Sequence, residues 1–338
     1  MQSAYFNFIL GIGRSGTTLM LSILNAHPLI QATPEVNFFE FFYNSWKNKT
    51  SFSNKDYEYI QSYVNFYKHK KNVSGFDWDL DLFKKNISQV KTVTFQNIYN
   101  SFYSSFLYDG KHKDLKFNFD KNHINMLYIN EILSSMPESK FVLMLRNPMA
   151  NFLSRKEKMN FRNTEVYFNA IRWQYYNVII SRFIKMFPDK FFVLRYEDLV
   201  SSPEVQLKKL ANFFGFEYKN EMLSFHETVK KVSLSQITVK NNSSKKIAKN
   251  KYDELSKPIY TDRLNTWKEK LSDTEINVIS EICQIANDFD YSIEKSKEKL
   301  NFYKLLIGKI KFFVERVKTK ILFYLPLSIK IQILKIRT

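Results

Sequence analysis

Phe6-Asn7-Phe8-Ile9-Leu10-Gly11-Ile12-Gly13-Arg14-Ser15-Gly16-Thr17-Thr18, running on into Leu19-Met20-Leu21-Ser22-Ile23-Leu24, decides the fold of this chain. A short apolar run, a loop with four residues between Gly11 and Gly16, and apolar positions spaced for one buried helix face read as strand, loop and helix. Such a loop holds an anion. Successive backbone N–H groups point inward where the first donors of the helix lack intrahelical partners and the helix dipole favours negative charge. The spacing copies the nucleoside-triphosphate loop G-x-x-x-x-G-K-[ST], but Thr17 stands at the lysine position and Arg14 lies inside the loop. With no clear strand-end Asp for Mg²⁺, the loop suits an anionic group held without metal by hydroxyls, amides and a guanidinium. Glycines serving only a tight turn are the plainer reading of Gly-x-Gly alone, and the dense donors of Arg-Ser-Gly-Thr-Thr argue against it.

A second anchor lies downstream. Phe141-Val142-Leu143-Met144-Leu145 is continuously apolar, the pattern of a strand covered on both faces, and Arg146-Asn147-Pro148 ends it. Arg146 therefore sits at the carboxyl edge of a strand, where open parallel sheets bind ligands and a guanidinium can grip a phosphate through two hydrogen bonds. Ser154, on the following helix, can add a hydroxyl to that phosphate. Phe191-Phe192-Val193-Leu194-Arg195-Tyr196 reads as another strand. A helix after it is bounded by Ser202 as N-cap, Pro203 at its first position and Gly215 at its end. The fold expected is α/β, P-loop-like and three-layered, with a mainly parallel central sheet.

Composition narrows the class. With 338 residues, 44% hydrophobic and 17% aromatic, the chain can bury a large core, and only seven glycines and eight prolines leave no linker of low complexity. Cys283 is the only cysteine, so an intramolecular disulfide is excluded. The first strand starts within five residues, leaving no signal-peptide pattern, and no apolar run matches a bilayer. A cytoplasmic, reducing location is the expectation. The net charge of +18 suits anionic ligands. Zinc-finger spacing, RNA-recognition aromatics and a recognition-helix motif are all missing, so nucleic acid is not an expected partner. No His/Cys/Asp cluster has metal-ligand spacing, and no catalytic metal is expected.

Gly-x-x-Arg-Ser-Gly-Thr-Thr-Leu, with Ala26-His27-Pro28 closing the helix, resembles the 5′-phosphosulfate loop of sulfotransferases that use 3′-phosphoadenosine 5′-phosphosulfate (PAPS). Among them the protein-tyrosine and bacterial branches are most similar. The resemblance extends over about residues 5 to 292 and implies PAPS as co-substrate and a hydroxyl-bearing acceptor. It assigns Arg14, Ser15, Gly16, Thr17 and Thr18 to the phosphosulfate, and Arg146 and Ser154 to the 3′-phosphate. Arg195-Tyr196-Glu197-Asp198-Leu199 is similar to another family signature, in which the tyrosine lies near the nucleotide. Tyr196 fits a half-buried packing residue equally well. Val232-Ser233-Leu234-Ser235 resembles the segment covering the cofactor, with Ser233 as a phosphosulfate contact and Lys240 to Lys251 as a lid.

Lys121 precedes the strand-opening Lys140 by the nineteen residues found in the protein-tyrosine branch. The resemblance thus assigns Lys121 to the bridging oxygen of the donor, with Arg14 as the second cationic stabiliser. Glu35 matches the catalytic glutamate of that branch and is the preferred base. His123 is the alternative base, because Lys-x-His is how the cytosolic branch presents its lysine and histidine. His27 reads as a structural cap. A P-loop nucleotide kinase and a non-catalytic nucleotide-binding module associated with a membrane are the competing classes.

Residues 1–295 read as the sulfotransferase-like domain, with an acceptor-side insertion at 36–115. Phe38, Phe39, Trp46 and Trp78 there fit either core packing or stacking on an acceptor. Residues 296–338 read as a basic amphipathic helical extension, with nine Lys/Arg against one Glu from Leu300 onward. Such a segment suits peripheral contact with the inner face of a membrane, or a cap packed on the core or on a second subunit of a homodimer.

Overall fold

The computed structural model describes residues 5–33, 35–69, 78–106, 115–157, 165–227, 255–296 and 298–336. Five strands, β1 (Tyr5–Leu10), β2 (Ile30–Thr33), β3 (Phe117–Lys121), β4 (Phe141–Leu145) and β5 (Phe191–Arg195), form one sheet in the order β2-β3-β1-β4-β5. Every pairing is parallel, with Ile9 opposite both Lys121 and Val142. Parallel strands all end on one edge. Gly11, Lys121, Arg146 and Tyr196 therefore emerge together from strands distant in sequence.

The helices alternate with the strands or fill the long connection after β2. In chain order they are α1 (Thr17–Ala26), α2 (Phe38–Trp46), α3 (Asn54–His69), α4 (Leu80–Ser88), α5 (Phe95–Ser104), α6 (Ile129–Ser135), α7 (Pro148–Lys156), α8 (Val166–Met186), α9 (Tyr196–Ser201) and α10 (Pro203–Phe214). Later helices include Asp273–Ile282, Phe302–Tyr324 and Leu327–Ile336. Strand side chains alternate between two cores. Phe8, Leu10, Phe141, Leu143 and Leu145 face the aromatic layer built on α2, α5 and α8, while Ile9, Val142 and Met144 face α1 and α10. This is the expected three-layer α/β fold, with the sheet buried on both faces.

Local signals explain the element ends. Pro148 opens α7 behind Asn147, whose side chain accepts from Met149 and Ala150 N–H, and Gly215 closes α10 at φ +80°. Strands β2 and β3 were not anticipated: Ile-Gln-Ala-Thr and Phe-Asn-Phe-Asp-Lys lack a continuous apolar run. Some of their buried polar atoms find partners elsewhere in the fold. Gln31 donates to the Tyr103 carbonyl at 2.9 Å, and Asp120 accepts from Tyr99 at 2.6 Å and Asn125 at 2.8 Å.

Phe38, Phe39, Trp46 and Trp78 are all buried and build the core. Phe38 stacks on Phe102 with ring centroids 4.1 Å apart, Phe42 stacks on Trp46 at 4.2 Å, and Trp78 Nε1 donates to the Phe102 carbonyl.

The last two helices pack onto this body. Phe302–Tyr324 crosses α8 closely at Gly308, where a Cβ would stand 3.0 Å from that of Tyr167, and Phe323 stacks on Tyr128 at 4.2 Å. Leu327–Ile336 returns across α2 and α3. It inserts Lys330, fully buried, whose Nζ donates to the carbonyls of Phe41 at 2.7 Å, Phe323 at 3.0 Å and Glu40 at 3.3 Å. Burial lowers the Lys330 pKa to about 8.

Candidate active site

The loop after β1 is shaped by two glycines that tolerate no side chain. At Gly11 (φ +141°) a Cβ would lie 2.5 Å from the Met144 carbonyl oxygen of β4, and at Gly16 (φ +89°) 2.7 Å from the Tyr196 ring. Arg14 also has positive φ, +75°. Gly16 is the N-cap of α1 and brings no side chain to the first turn, which leaves Thr17 and Thr18 at the helix start beside the loop. Ser15 and Thr17 are buried there.

Three side chains from α7 and the end of β4 close on this loop. Arg14 Nε donates to Ser154 Oγ at 3.0 Å, and Arg146 donates to the Arg14 carbonyl at 3.1 Å. Asn151 Nδ2 reaches both the Gly13 carbonyl, 3.2 Å, and Ser15 Oγ, 3.1 Å. Arg146 is buried, lies 4.4 Å above the Tyr196 ring and passes its own carbonyl to Trp173 Nε1. Tyr196 thereby joins the site as well as the core. Arg146 Nε has no hydrogen-bond partner among the described residues.

Positive charge accumulates around the loop. Burial lowers the Arg146 pKa, and the Arg263 charge adds to that. Burial, then the charges of Arg172 and Arg14, bring Arg155 down to about 9. Guanidinium groups held out of water beside one another favour the arrival of an anion, which relieves both penalties. The orphan Arg146 donor and the close-packed glycine loop thus suit an anionic group.

The second half of the site sits at the ends of β2 and β3. Glu35 accepts from Lys121 Nζ at 3.0 Å through one oxygen and lies 2.7 Å from His123 Nδ1 through the other. Desolvation in the cleft raises the Glu35 pKa. The Lys121 charge and the His123 hydrogen bond outweigh it and hold the carboxyl well below its ordinary value. Its side chain remains 39% exposed, open to the cleft. Asn122 fixes this arrangement by donating to the Val36 carbonyl at 3.0 Å and accepting from Ile124 N–H. Because Lys121 lies opposite Ile9 in the sheet, the trio stands beside the anion loop.

The structure thus brings Glu35, Lys121 and His123 into one hydrogen-bonded group. It gathers Arg14, Ser15, Gly16, Thr17, Thr18, Arg146, Ser154 and Tyr196 into a second. Ser233 and the Lys240–Lys251 lid lie outside the described residues. His27 is buried, caps α1 and bridges the Glu217 carbonyl and Leu29 N–H. Asn122, Asn151, Arg155 and Arg263 escaped the sequence reading. Glu197 was read only as part of a motif, yet it braces the site by accepting from Asn147 N–H at 3.0 Å and Tyr291 OH at 2.7 Å. Among the described residues no group of three or more His, Cys, Asp or Glu is placed to hold a metal ion.

Comparison with known proteins adds an independent line. The profile of the sulfotransferase family matches residues 8–220. A Caenorhabditis briggsae protein whose assignment as a protein-tyrosine sulfotransferase is itself provisional is 23% identical over 307 residues, 88% of this chain and 92% of that protein. Protein-tyrosine sulfotransferase A of Caenorhabditis elegans is 24% identical over 285 residues, 79% of this chain and 62% of its own length. Among solved structures, the sulfotransferase domain from the curacin biosynthetic pathway superposes with a TM-score of 0.55 at 17% identity, covering 86% of this chain and 99% of that domain.

Proposed function

Since the chain belongs to the sulfotransferase family, we propose that it moves a sulfonyl group from PAPS to a hydroxyl of a carbohydrate, a lipid-linked glycan or a tyrosine-like phenol. The observation that carries this reading is the Glu35 carboxylate shared between Lys121 and His123, next to a loop ringed by arginines. PAPS supplies an activated sulfonyl group and a bisphosphate leaving group.

The protein's tasks in an in-line displacement are positioning and charge neutralisation. Arg14 and the amides and hydroxyls of Ser15, Gly16, Thr17 and Thr18 hold the phosphosulfate. Arg146, through its orphan Nε, and Ser154 hold the 3′-phosphate. Lys121 stabilises the negative charge that grows on the bridging oxygen.

Glu35 takes the acceptor proton. Its carboxyl is ionised at rest because Lys121 and His123 hold its pKa down, so it is ready to accept a proton but only weakly basic. As the Lys121 ammonium turns its charge toward the donor, the main cause of that low pKa weakens and the basicity of Glu35 rises. His123, with Nδ1 on Glu35, orients the carboxylate. The reverse assignment, His123 as base through its other ring nitrogen, is decided by the substitutions compared below.

The direct test is calorimetric titration with adenosine 3′,5′-bisphosphate and with AMP, together with radiolabelled PAPS and fractionated acceptors. Arg146→Ala is expected to weaken the bisphosphate about tenfold to hundredfold and AMP hardly at all, the value of charge-assisted hydrogen bonds to one phosphate. Label should pass to one class among polysaccharide, lipid, peptide and phenol. Equal losses for both nucleotides would remove Arg146 from the 3′-phosphate, and no transfer to any class would overturn the enzymatic reading.

A further inference from the structure

The Phe302–Tyr324 helix is apolar on two opposite sides. Gly308, Phe312 and Phe323 are buried and turn one side inward. At 100° per residue the other side gathers Tyr303, Leu306, Ile310, Phe313 and Ile321 into a stripe along the helix, with Tyr303 75%, Phe313 67% and Ile310 53% exposed. Two rows of cations separate these sides: Lys304 and Lys318 along one flank, with Lys311 between them paired to Glu165 of the body at 2.6 Å, and Lys309 and Lys320 along the other. The only acidic residue from Leu300 onward, Glu315, faces the body and pairs with Arg172 at 3.3 Å.

We propose that this outer face docks on an anionic lipid bilayer, the helix lying in the plane of the membrane. With 23 residues it is about 34 Å long, enough to cross a bilayer core. Its lysine rows prevent that, and among the described residues no helix is apolar enough to span. An apolar stripe edged on both sides by lysines instead matches the headgroup boundary, because the long lysine stems follow the stripe inward while their ammonium groups stay among lipid phosphates. A second copy of the chain is the poorer occupant. It would set lysine row against lysine row, with no acidic partner on the outward face.

The position of the helix ties docking to the site. On its other side α8 meets the site, where Trp173 donates to the Arg146 carbonyl at 3.3 Å and Asn169 accepts from Arg155 at 2.7 Å. The membrane face and the cationic loop are thus separated by two helices, this one and α8, each roughly 10 Å across.

Co-sedimentation of the full chain with vesicles tests the proposal, comparing phosphatidylcholine carrying about a third phosphatidylglycerol with phosphatidylcholine alone. Deletion of the helix is unsuitable, because it would uncover α8 and Tyr128. Two exposed double variants serve instead, Ile310→Asp with Phe313→Asp and Lys304→Glu with Lys318→Glu. The parent should bind anionic vesicles about tenfold or more better than neutral ones, and each variant should lose about tenfold or more while keeping the parent's circular dichroism and thermal midpoint. Failure of the parent to sediment with anionic vesicles, or equal binding by folded variants, would overturn the proposal. So would light scattering that shows a parent dimer split by the Ile310 and Phe313 substitutions, which would make the face a subunit interface.

Discussion

Lys121 and Glu35 meet at 3.0 Å across the ends of two adjoining strands, although 86 residues separate them in the chain. The sheet makes this contact possible: β3 is inserted between β1 and β2, so the last residue of β3 lies between the anion loop and the segment that follows β2. In the proposed mechanism a cation for the donor and a carboxylate for the acceptor thus neutralise each other until substrates arrive.

Removing the cation should separate binding from chemistry. Lys121→Ala is expected to lower turnover about a hundredfold to a thousandfold, the usual loss when one donor to developing negative charge is deleted. Affinity for adenosine 3′,5′-bisphosphate should change little, because the proposed mechanism gives its phosphates to Arg14 and Arg146. Steady-state kinetics and calorimetry on the same preparation check this, and unchanged turnover would exclude Lys121 from the mechanism.

Glu35→Gln keeps an oxygen for Lys121 but cannot take a proton. Its turnover should fall about a hundredfold or more, the contribution of a positioned general base. His123→Ala should lose less, since it removes an orienting contact from a carboxylate that Lys121 still holds. A larger loss in His123→Ala would assign the base to His123.

Gly11→Ala places a methyl 2.5 Å from the main-chain oxygen of Met144 and demands φ near +141° of an alanine. Neither β4 nor the loop can yield cheaply, so unfolding free energy should drop by about 2 kcal/mol or more. Urea unfolding measures it, and a midpoint equal to the parent's would refute the close packing of loop and strand.

Asp120 gives stability a pH slope opposite to that of Glu35. Burial raises the Asp120 pKa from 3.8 to about 6, so the folded state retains its proton where the unfolded chain has lost it. Its contribution is complete below about pH 3.8 and is lost as pH rises through about 6, a decline of about 3 kcal/mol over the interval. Glu35, whose pKa is lowered, contributes above its ordinary value and loses that contribution in acid. Urea unfolding of parent and Asp120→Asn between those pH values should show the variant gaining on the parent as pH rises. A constant difference would contradict the buried state of Asp120.

The parts of the fold that could be read along the chain are those whose signals are local. The apolar runs of β1, β4 and β5, the glycines of the loop, and the Pro203 and Gly215 boundaries of α10 each sit within a few residues of what they determine. Strands β2 and β3 were hidden because Gln31, Thr33 and Asp120 are acceptable inside only with partners that folding supplies, the carbonyls of Tyr103 and Phe119 and the Tyr99 hydroxyl. The site divides the same way. Arg14, Arg146, Lys121 and Glu35 stand in recognisable spacings, whereas Asn151 owes its role to Gly13 and Ser15 more than a hundred residues away. Asn122 carried a weak signal as the residue between Lys121 and His123, where a helix-capping side chain also braces the backbone beside Glu35.

Lys330 gives the order of synthesis a structural meaning. Two of the three carbonyls it binds, those of Glu40 and Phe41, belong to α2, the helix just after Glu35, yet Lys330 follows Glu40 by 290 residues. At ribosomal rates of about 5 to 20 residues per second, α2 waits roughly 15 to 60 s for this partner. During that interval the aromatic surface later covered by Leu327–Ile336 remains bare on the nascent chain. Only when nearly the whole polypeptide has been made does α2 receive the helix that covers it.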